Sequence, residues 1–103
     1  MLDEQQLTRI RALANAIIAE ENRHGSTRTV ARVRRTGKGA EVTVAFQEGT
    51  PRPSDPLGHL GSLCDRITSE LRLERDSLGR RMFDTSESTF TSGDSPTFSF
   101  EVW

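Results

Sequence analysis

The sequence predicts an α+β domain in which two helices pack on one face of a four-stranded, mainly antiparallel sheet. Two segments, from Leu2 to about Arg23 and from Leu57 to about Arg75, repeat apolar residues at helical spacing. Each is followed by a pair of strand-like segments, which gives the order α-β-β-α-β-β. Because a chain of 103 residues has room for one core, we expect residues 1–103 to form a single domain.

The first helix has both of its boundaries marked in the sequence. Asp3 and Gln6 have the spacing of a capping box, and Gly25 suits the left-handed backbone that ends many helices. The residues that share one side of this helix are apolar, namely Leu7, Ile10, Leu13, Ala14, Ile17 and Ile18. We therefore expect this side to face the core.

The segment TRTVARVRRTGKGAEVTVAFQE, from Thr27 to Glu48, predicts a β-hairpin. Two alternating runs flank a centre in which Gly37 and Lys38 suit a two-residue turn, and that turn fixes the register. The pairs expected on the apolar face are Val33–Val42, Ala31–Val44 and Thr29–Phe46, and those expected on the opposite face are Arg34–Glu41, Arg32–Thr43 and Arg28–Gln47.

The second helix follows a stretch that interrupts strand pairing. Pro51 and Pro53 cannot donate ladder hydrogen bonds, Ser54 or Asp55 can cap a helix, and Pro56 suits its first turn. Two glycines weaken the first turns of this helix. They indicate either close packing of the helix against the sheet or mobility at the N-terminal end of the helix. The apolar stripe that we expect to be buried consists of Leu57, Leu60, Leu63, Cys64, Ile67 and Leu71.

The C-terminal segments predict a second hairpin. TFSFEVW, from Thr97 to Trp103, alternates Phe98, Phe100 and Val102 with polar residues, as a strand does. A poorer strand is expected over Arg81–Thr91, with a turn over 92–96 that pairs Phe90 with Phe98. The pattern leaves the order of the four strands open.

Composition excludes several classes of protein. The formal net charge is −1, and the one cysteine cannot form an internal disulfide. No apolar run is long enough to cross a bilayer, and the acidic start lacks the basic region of a secretory signal. We therefore expect a cytoplasmic protein with no membrane contact and leave its oligomeric state open.

Catalytic and metal-binding candidates are few. Cys64 and His59 suggest a nucleophile and a base, but Cys64 lies within the apolar stripe and His59 points elsewhere on the same helix. Asp55 and His59 have the spacing of two metal ligands without a third nearby. We therefore expect no catalytic residues, no metal and no cofactor, and keep a small enzyme based on Cys64 and His59 as a minor alternative.

Charge is unevenly distributed along the chain. Arg28, Arg32 and Arg34 alternate onto the polar face of the first hairpin, so a row of cations is expected there. Such a row suggests a nucleic-acid-binding regulator as an alternative function. The near-neutral total charge and the lack of aromatic residues in the row make nucleic acid a poor fit.

The C-terminal hairpin carries the opposite charge. Its acids surround Ser and Thr side chains, and its last residue is an aromatic that falls on the face away from Phe98 and Phe100. An aromatic beside charged groups is typical of protein interfaces. The candidate partner-binding residues are therefore Asp84, Glu87, Asp94, Glu101 and Trp103, together with Arg28, Arg32 and Arg34.

The order of elements resembles that of the small cytosolic immunity proteins of bacterial polymorphic-toxin and contact-dependent inhibition systems. The likeness spans the N-terminal helix, the hairpin TRTVARVRRTGKGAEVTVAFQE, the second helix and the strand TFSFEVW. The resemblance implies a non-catalytic protein that binds and neutralises a cognate toxin domain by charge-complementary contact. It assigns no role to any numbered residue.

Overall fold

The computed structural model describes residues 2–103 and confirms the predicted fold class and element order. The four strands form one antiparallel sheet in the order β1-β2-β4-β3, and both helices pack on the same face of it. The elements are α1 (Glu4–Glu21), β1 (Thr29–Arg35), β2 (Ala40–Phe46), α2 (Pro56–Leu73), β3 (Thr89–Thr91) and β4 (Thr97–Val102).

Helix α1 begins with the predicted capping box. The Asp3 carboxylate accepts a hydrogen bond from the Gln6 backbone N–H at 2.8 Å, and the Gln6 side chain accepts one from the Asp3 N–H at 2.9 Å. The helix ends at Glu21, earlier than expected, and Gly25 lies beyond it in the loop. Asn22 is the C-cap of the helix. Its side-chain amide forms hydrogen bonds with the backbone of Thr29 at the start of β1.

The hairpin of β1 and β2 has the predicted register, including Val33 opposite Val42. The Thr36 N–H donates to the Gly39 carbonyl at 2.9 Å, which closes the turn over Gly37 and Lys38. Gly39 has a further role that the sequence pattern did not indicate. A Cβ atom at Gly39 would lie 2.1 Å from the Val102 carbonyl oxygen of β4, so only glycine fits there.

Helix α2 begins at Pro56, with Asp55 as its N-cap. The Asp55 carboxylate accepts a hydrogen bond from the Gly58 N–H at 3.1 Å. One of the two glycines in the first turns allows close packing on the sheet, because a Cβ atom at Gly61 would lie 3.2 Å from the Phe98 ring. The helix ends at Leu73, two residues before the predicted end.

A tight loop follows α2, and the sequence pattern did not predict it. The Asp76 carboxylate accepts hydrogen bonds from the backbone N–H groups of Leu78 and Arg80, each at 2.9 Å. The bond from Arg80 is the main cause that lowers the pKa of Asp76. Gly79 adopts a positive φ of 78° within this loop, a conformation that glycine takes at no steric cost.

The prediction of a strand over Arg81–Thr91 is wrong for most of that range. Only Thr89–Thr91 forms a regular strand, in which Phe90 pairs with Phe98 as expected. Between Thr85, which bridges Val102, and Thr89, which pairs with Ser99, this segment advances four residues while β4 advances three. The extra residue is a β-bulge, and it breaks the ladder along this edge.

The buried side chains of the helices and the sheet form one hydrophobic cluster. Burying each large member contributes roughly 1.5–3 kcal/mol before the cost of ordering it. Phe83, which is 1% exposed, belongs to this cluster although it lies in the irregular segment. The other members include Ile10, Ala14, Val42, Val44, Leu60, Cys64, Ile67, Phe100 and Val102.

Candidate protein-interaction surface

The face of the sheet opposite the helices carries polar side chains from all four strands. Residues that are directly opposite one another in neighbouring strands share a face, so the strand pairings define which residues belong to it. We call this surface the open face. It consists of Val30, Arg32 and Arg34 of β1, Glu41, Thr43 and Ala45 of β2, Thr97, Ser99 and Glu101 of β4, and Thr89 and Thr91 of β3.

One row of the open face carries charges of both signs. The Arg34 guanidinium forms an ion pair with Glu41 at 3.0 Å, and Glu41 lies directly opposite Glu101 on β4. Two carboxylates in that position repel each other. Arg34 offsets the charge of Glu41, whereas Glu101 has no ion pair within residues 2–103. The row therefore presents an uncompensated negative charge near its middle.

The neighbouring rows are built from hydroxyl groups. The Thr43 and Ser99 hydroxyls are 2.9 Å apart, and those of Thr91 and Thr97 are 2.8 Å apart. These cross-strand hydrogen bonds hold the side chains in place before any partner arrives. Arg32 is exposed at the β1 end of its row, and in the described part of the chain it makes no ion pair.

Two of the three predicted arginines lie on the open face. Arg32 and Arg34 lie on the open face as expected. Arg28 precedes the strand, and its guanidinium donates to the carbonyl groups of Gly25 and Thr27 in the adjoining loop. Those bonds direct the Arg28 side chain toward the loop, so the open face has two aligned arginines.

The predicted acidic residues fall into three places. Glu87 and Glu101 line one shallow depression of about 290 Å³, which Glu41 also borders. Asp84 lies at the end of the sheet, where its side chain pairs with Arg81 at 3.0 Å. Asp94 lies in the turn between β3 and β4, at the other end of that hairpin.

Trp103 follows β4 at the edge of the acidic region. Its backbone N–H donates to the Asp84 carbonyl at 3.0 Å, and its own carbonyl accepts from the Asp84 N–H at 2.8 Å. These two bonds fix the C-terminal residue to the sheet. The Trp103 side chain remains 45% exposed, so its ring is accessible to a partner.

Cys64 lies in the core, away from solvent. Its exposed fraction is 0%, and burial, with a smaller contribution from Asp65, raises the pKa of its thiol from 9.0 to about 12. The thiol is therefore protonated near neutral pH, and a protonated, buried thiol is a poor nucleophile.

His59 occupies a different environment from Cys64. Its imidazole stacks on the Phe46 ring with centroids 5.8 Å apart, and the Arg52 guanidinium lies 5.6 Å from the same ring. His59 also lines an open cavity of about 490 Å³ with Asp55 and Ser62. Within residues 2–103 no hydrogen bond joins this imidazole to a serine, a cysteine or a carboxylate, so the cavity shows no nucleophile paired with a base.

The described residues show neither a metal-binding cluster nor a membrane-spanning helix. Among the described residues, no three His, Cys, Asp or Glu side chains come together in a way that would hold a metal ion. Over the same range, neither helix combines the length and apolar character needed to cross a bilayer. The open face combines charged and hydroxyl side chains, which suit contact with another macromolecule.

The sequence interpretation missed several members of the open face. In the sequence, Glu41, Thr43 and Ser99 stand out as strand residues and not as candidate contacts. Alternation within β2 and β4 indicated their face, but their position beside Arg34 and Glu101 follows from the strand order β1-β2-β4-β3. That order was not readable from the alternating pattern alone.

Comparison with known proteins gave no match to a family model, a curated protein or a solved structure. No residue role is therefore transferred to this chain from another protein.

Proposed function

We propose that this chain is a non-catalytic protein-binding module, and that it acts as a cytoplasmic immunity protein that neutralises a cognate toxin domain. The observation that supports this most strongly is the open face, where Arg32, Arg34 and Glu101 stand among ordered hydroxyl groups. Charges of both signs at fixed positions provide specificity and speed the encounter with a partner of complementary charge.

The same surface fits a protein better than a nucleic acid. Glu41 and Glu101 lie in the row that begins with Arg34, so a phosphate backbone that approached the arginines would meet two carboxylates. The paired strand residues of the open face include no aromatic side chain, so Trp103, which follows β4, is the one exposed ring beside them in the described chain on which a base could stack. Both features weaken the alternative of a regulator that binds DNA or RNA.

The surroundings of Cys64 and His59 support a non-catalytic role. The raised pKa of Cys64 and its complete burial deprive the enzyme alternative of its nucleophile. The exposed groups on the open face are charged side chains and hydroxyl groups, which suit recognition of a partner protein.

Co-expression tests the proposed function directly. If the chain is an immunity protein, the neighbouring reading frame should encode the toxin domain; cells that produce that domain should stop growing, and production of this chain should restore their growth. Glu101→Arg should weaken this protection, because it reverses a partly exposed charge on the open face without removing a core contact, and we expect about a tenfold or greater loss of affinity. Asp65→Arg, on the exposed side of α2, is the matched control and should protect fully.

Two outcomes would contradict the proposal. Growth arrest that this chain does not relieve would refute the toxin partner. Full protection by Glu101→Arg would refute the assignment of the open face, provided that the variant and the parent chain accumulate to the same level.

A further inference from the structure

The outer edge of β1 has backbone groups that make no hydrogen bond within the described chain. β1 has seven residues and stands at one end of the sheet order. The Arg28 carbonyl accepts from the Gln47 N–H, and the Thr36 N–H donates to the Gly39 carbonyl. In an antiparallel pair the inward and outward backbone groups alternate. The groups of Ala31 and Val33 therefore point away from β2.

A side chain already imitates a neighbouring strand at one end of this edge. The Thr29 N–H donates to the Asn22 Oδ1 at 3.0 Å, and the Asn22 Nδ2 donates to the Thr29 carbonyl at 3.1 Å. One amide thus satisfies both outward groups of Thr29, as a paired strand residue would. In the described chain, no comparable bond reaches Ala31 or Val33.

The opposite edge of the sheet is less suited to pairing. β3 has three residues, and the bulge before it interrupts the ladder. Short edge strands and bulges are common features that discourage the addition of a strand. A partner strand would therefore find its longer regular ladder on β1.

Side-chain chemistry indicates what kind of strand would fit. Side chains directly opposite each other on paired strands lie about 4.5–5.5 Å apart, so an added strand would place residues beside Arg32 and Arg34 on the open face. Its other face would meet Ala31 and Val33, which pack partly buried against the core. An extended segment that alternates acidic and apolar residues satisfies both faces.

The same reasoning disfavours a second copy of this chain as the occupant. If two β1 strands paired about Val33, Arg32 of one copy would face Arg34 of the other on the same side of the sheet. Like charges directly opposite each other are destabilising. The two arginines thus select against self-pairing and in favour of an acidic partner.

We propose that β1 binds an extended strand of the partner protein, in which acidic residues alternate with apolar ones. This inference rests on the proposed function, because it assumes a protein partner. It adds the element that is used, the backbone ladder that forms and the sequence character of the partner segment.

Amide hydrogen exchange measured by NMR on the whole chain tests this inference. The probe is a short capped peptide in which glutamate and valine alternate, added to about 1 mM, where weak association is measurable. Peptide binding should slow exchange at the outward amides of Ala31 and Val33 by about tenfold or more. The Arg32 amide, which already points to β2, should change little.

Charge controls complete the experiment. A peptide that alternates lysine and valine should give no protection. Arg32→Glu should reduce protection by the glutamate peptide about tenfold, whereas Arg11→Glu on the exposed side of α1 should leave it unchanged.

The contradicting results separate this inference from the proposed function. Unchanged exchange at Ala31 and Val33 with the glutamate peptide would overturn the inference, and equal protection by both peptides would overturn its acidic specificity. If the chain still neutralised its toxin domain in either case, the proposed function would stand. If the peptide protected β1 but no toxin domain were bound, the toxin partner would be wrong and the strand-binding edge would remain.

Discussion

For the single cysteine, spacing in the sequence predicts burial but not reactivity. Cys64 falls at a helical interval from Leu60 and Ile67, and that periodicity predicts a buried position, which the structure confirms. The reactivity of a thiol depends on its surroundings more than on its presence in the sequence. Burial raises the pKa of Cys64 to about 12. The thiol therefore stays protonated near neutral pH and is a poor nucleophile.

Cys64 should make stability depend on pH in the alkaline range. The folded chain keeps the thiol protonated up to about pH 12, while the unfolded chain loses the proton near 9.0. The unfolded state thus binds fewer protons between these values, and the free energy of unfolding should fall as the pH rises through them. Denaturant titrations of the parent chain and of Cys64→Ala should give a steeper fall for the parent. Parallel curves would contradict the assigned pKa.

Gly39 is a residue whose role depends on a contact distant in sequence. Gly39→Ala should destabilise the fold by about 1–3 kcal/mol, because its Cβ atom would lie 2.1 Å from the Val102 carbonyl oxygen. Gly37→Ala is the control from the same turn, since a Cβ atom there has nothing within 4 Å. Urea unfolding compares the two variants. Equal midpoints would show that the turn and β4 do not approach as closely as described.

At the scale of elements, the two helices and the first hairpin were predictable because their signals are local. Helical spacing, capping residues and a two-residue turn each act within a few positions of the chain. The segment over 81–91 was not predictable in the same way. Its bulge is defined by its pairing with β4, which is distant in sequence. Phe83 is buried, but the many Ser and Thr residues in this segment give no apolar pattern that would predict its burial.

Phe83 tests whether the irregular segment belongs to the core. Phe83→Ala should lower the free energy of unfolding by about 3–5 kcal/mol, because it removes a large side chain that is 1% exposed. Phe90→Ala is the matched control, since Phe90 is 60% exposed on β3, and it should cost about 1 kcal/mol or less. Thermal and urea unfolding measure both. A small effect at Phe83 would mean that this segment is not packed as described.

At the scale of the whole molecule, one layer of helices covers one side of the sheet and leaves the other side exposed. Alternation along β1 was enough to predict where Arg32 and Arg34 lie. It did not show that Glu41 and Glu101 adjoin, because that contact requires the strand order. The mixed charge of the open face is therefore a property of the assembled sheet, and it is the basis of the proposed interaction.

The measurement that tests this account most directly is calorimetric titration of the purified chain with the domain encoded in the adjacent reading frame. We expect saturable binding that weakens as salt is raised, because exposed charges on the open face contribute to it. Arg32→Glu should weaken it further, and Arg11→Glu should not. Absence of any binding heat over a range of temperatures, with both proteins folded, would contradict the proposal that this chain works by binding that partner.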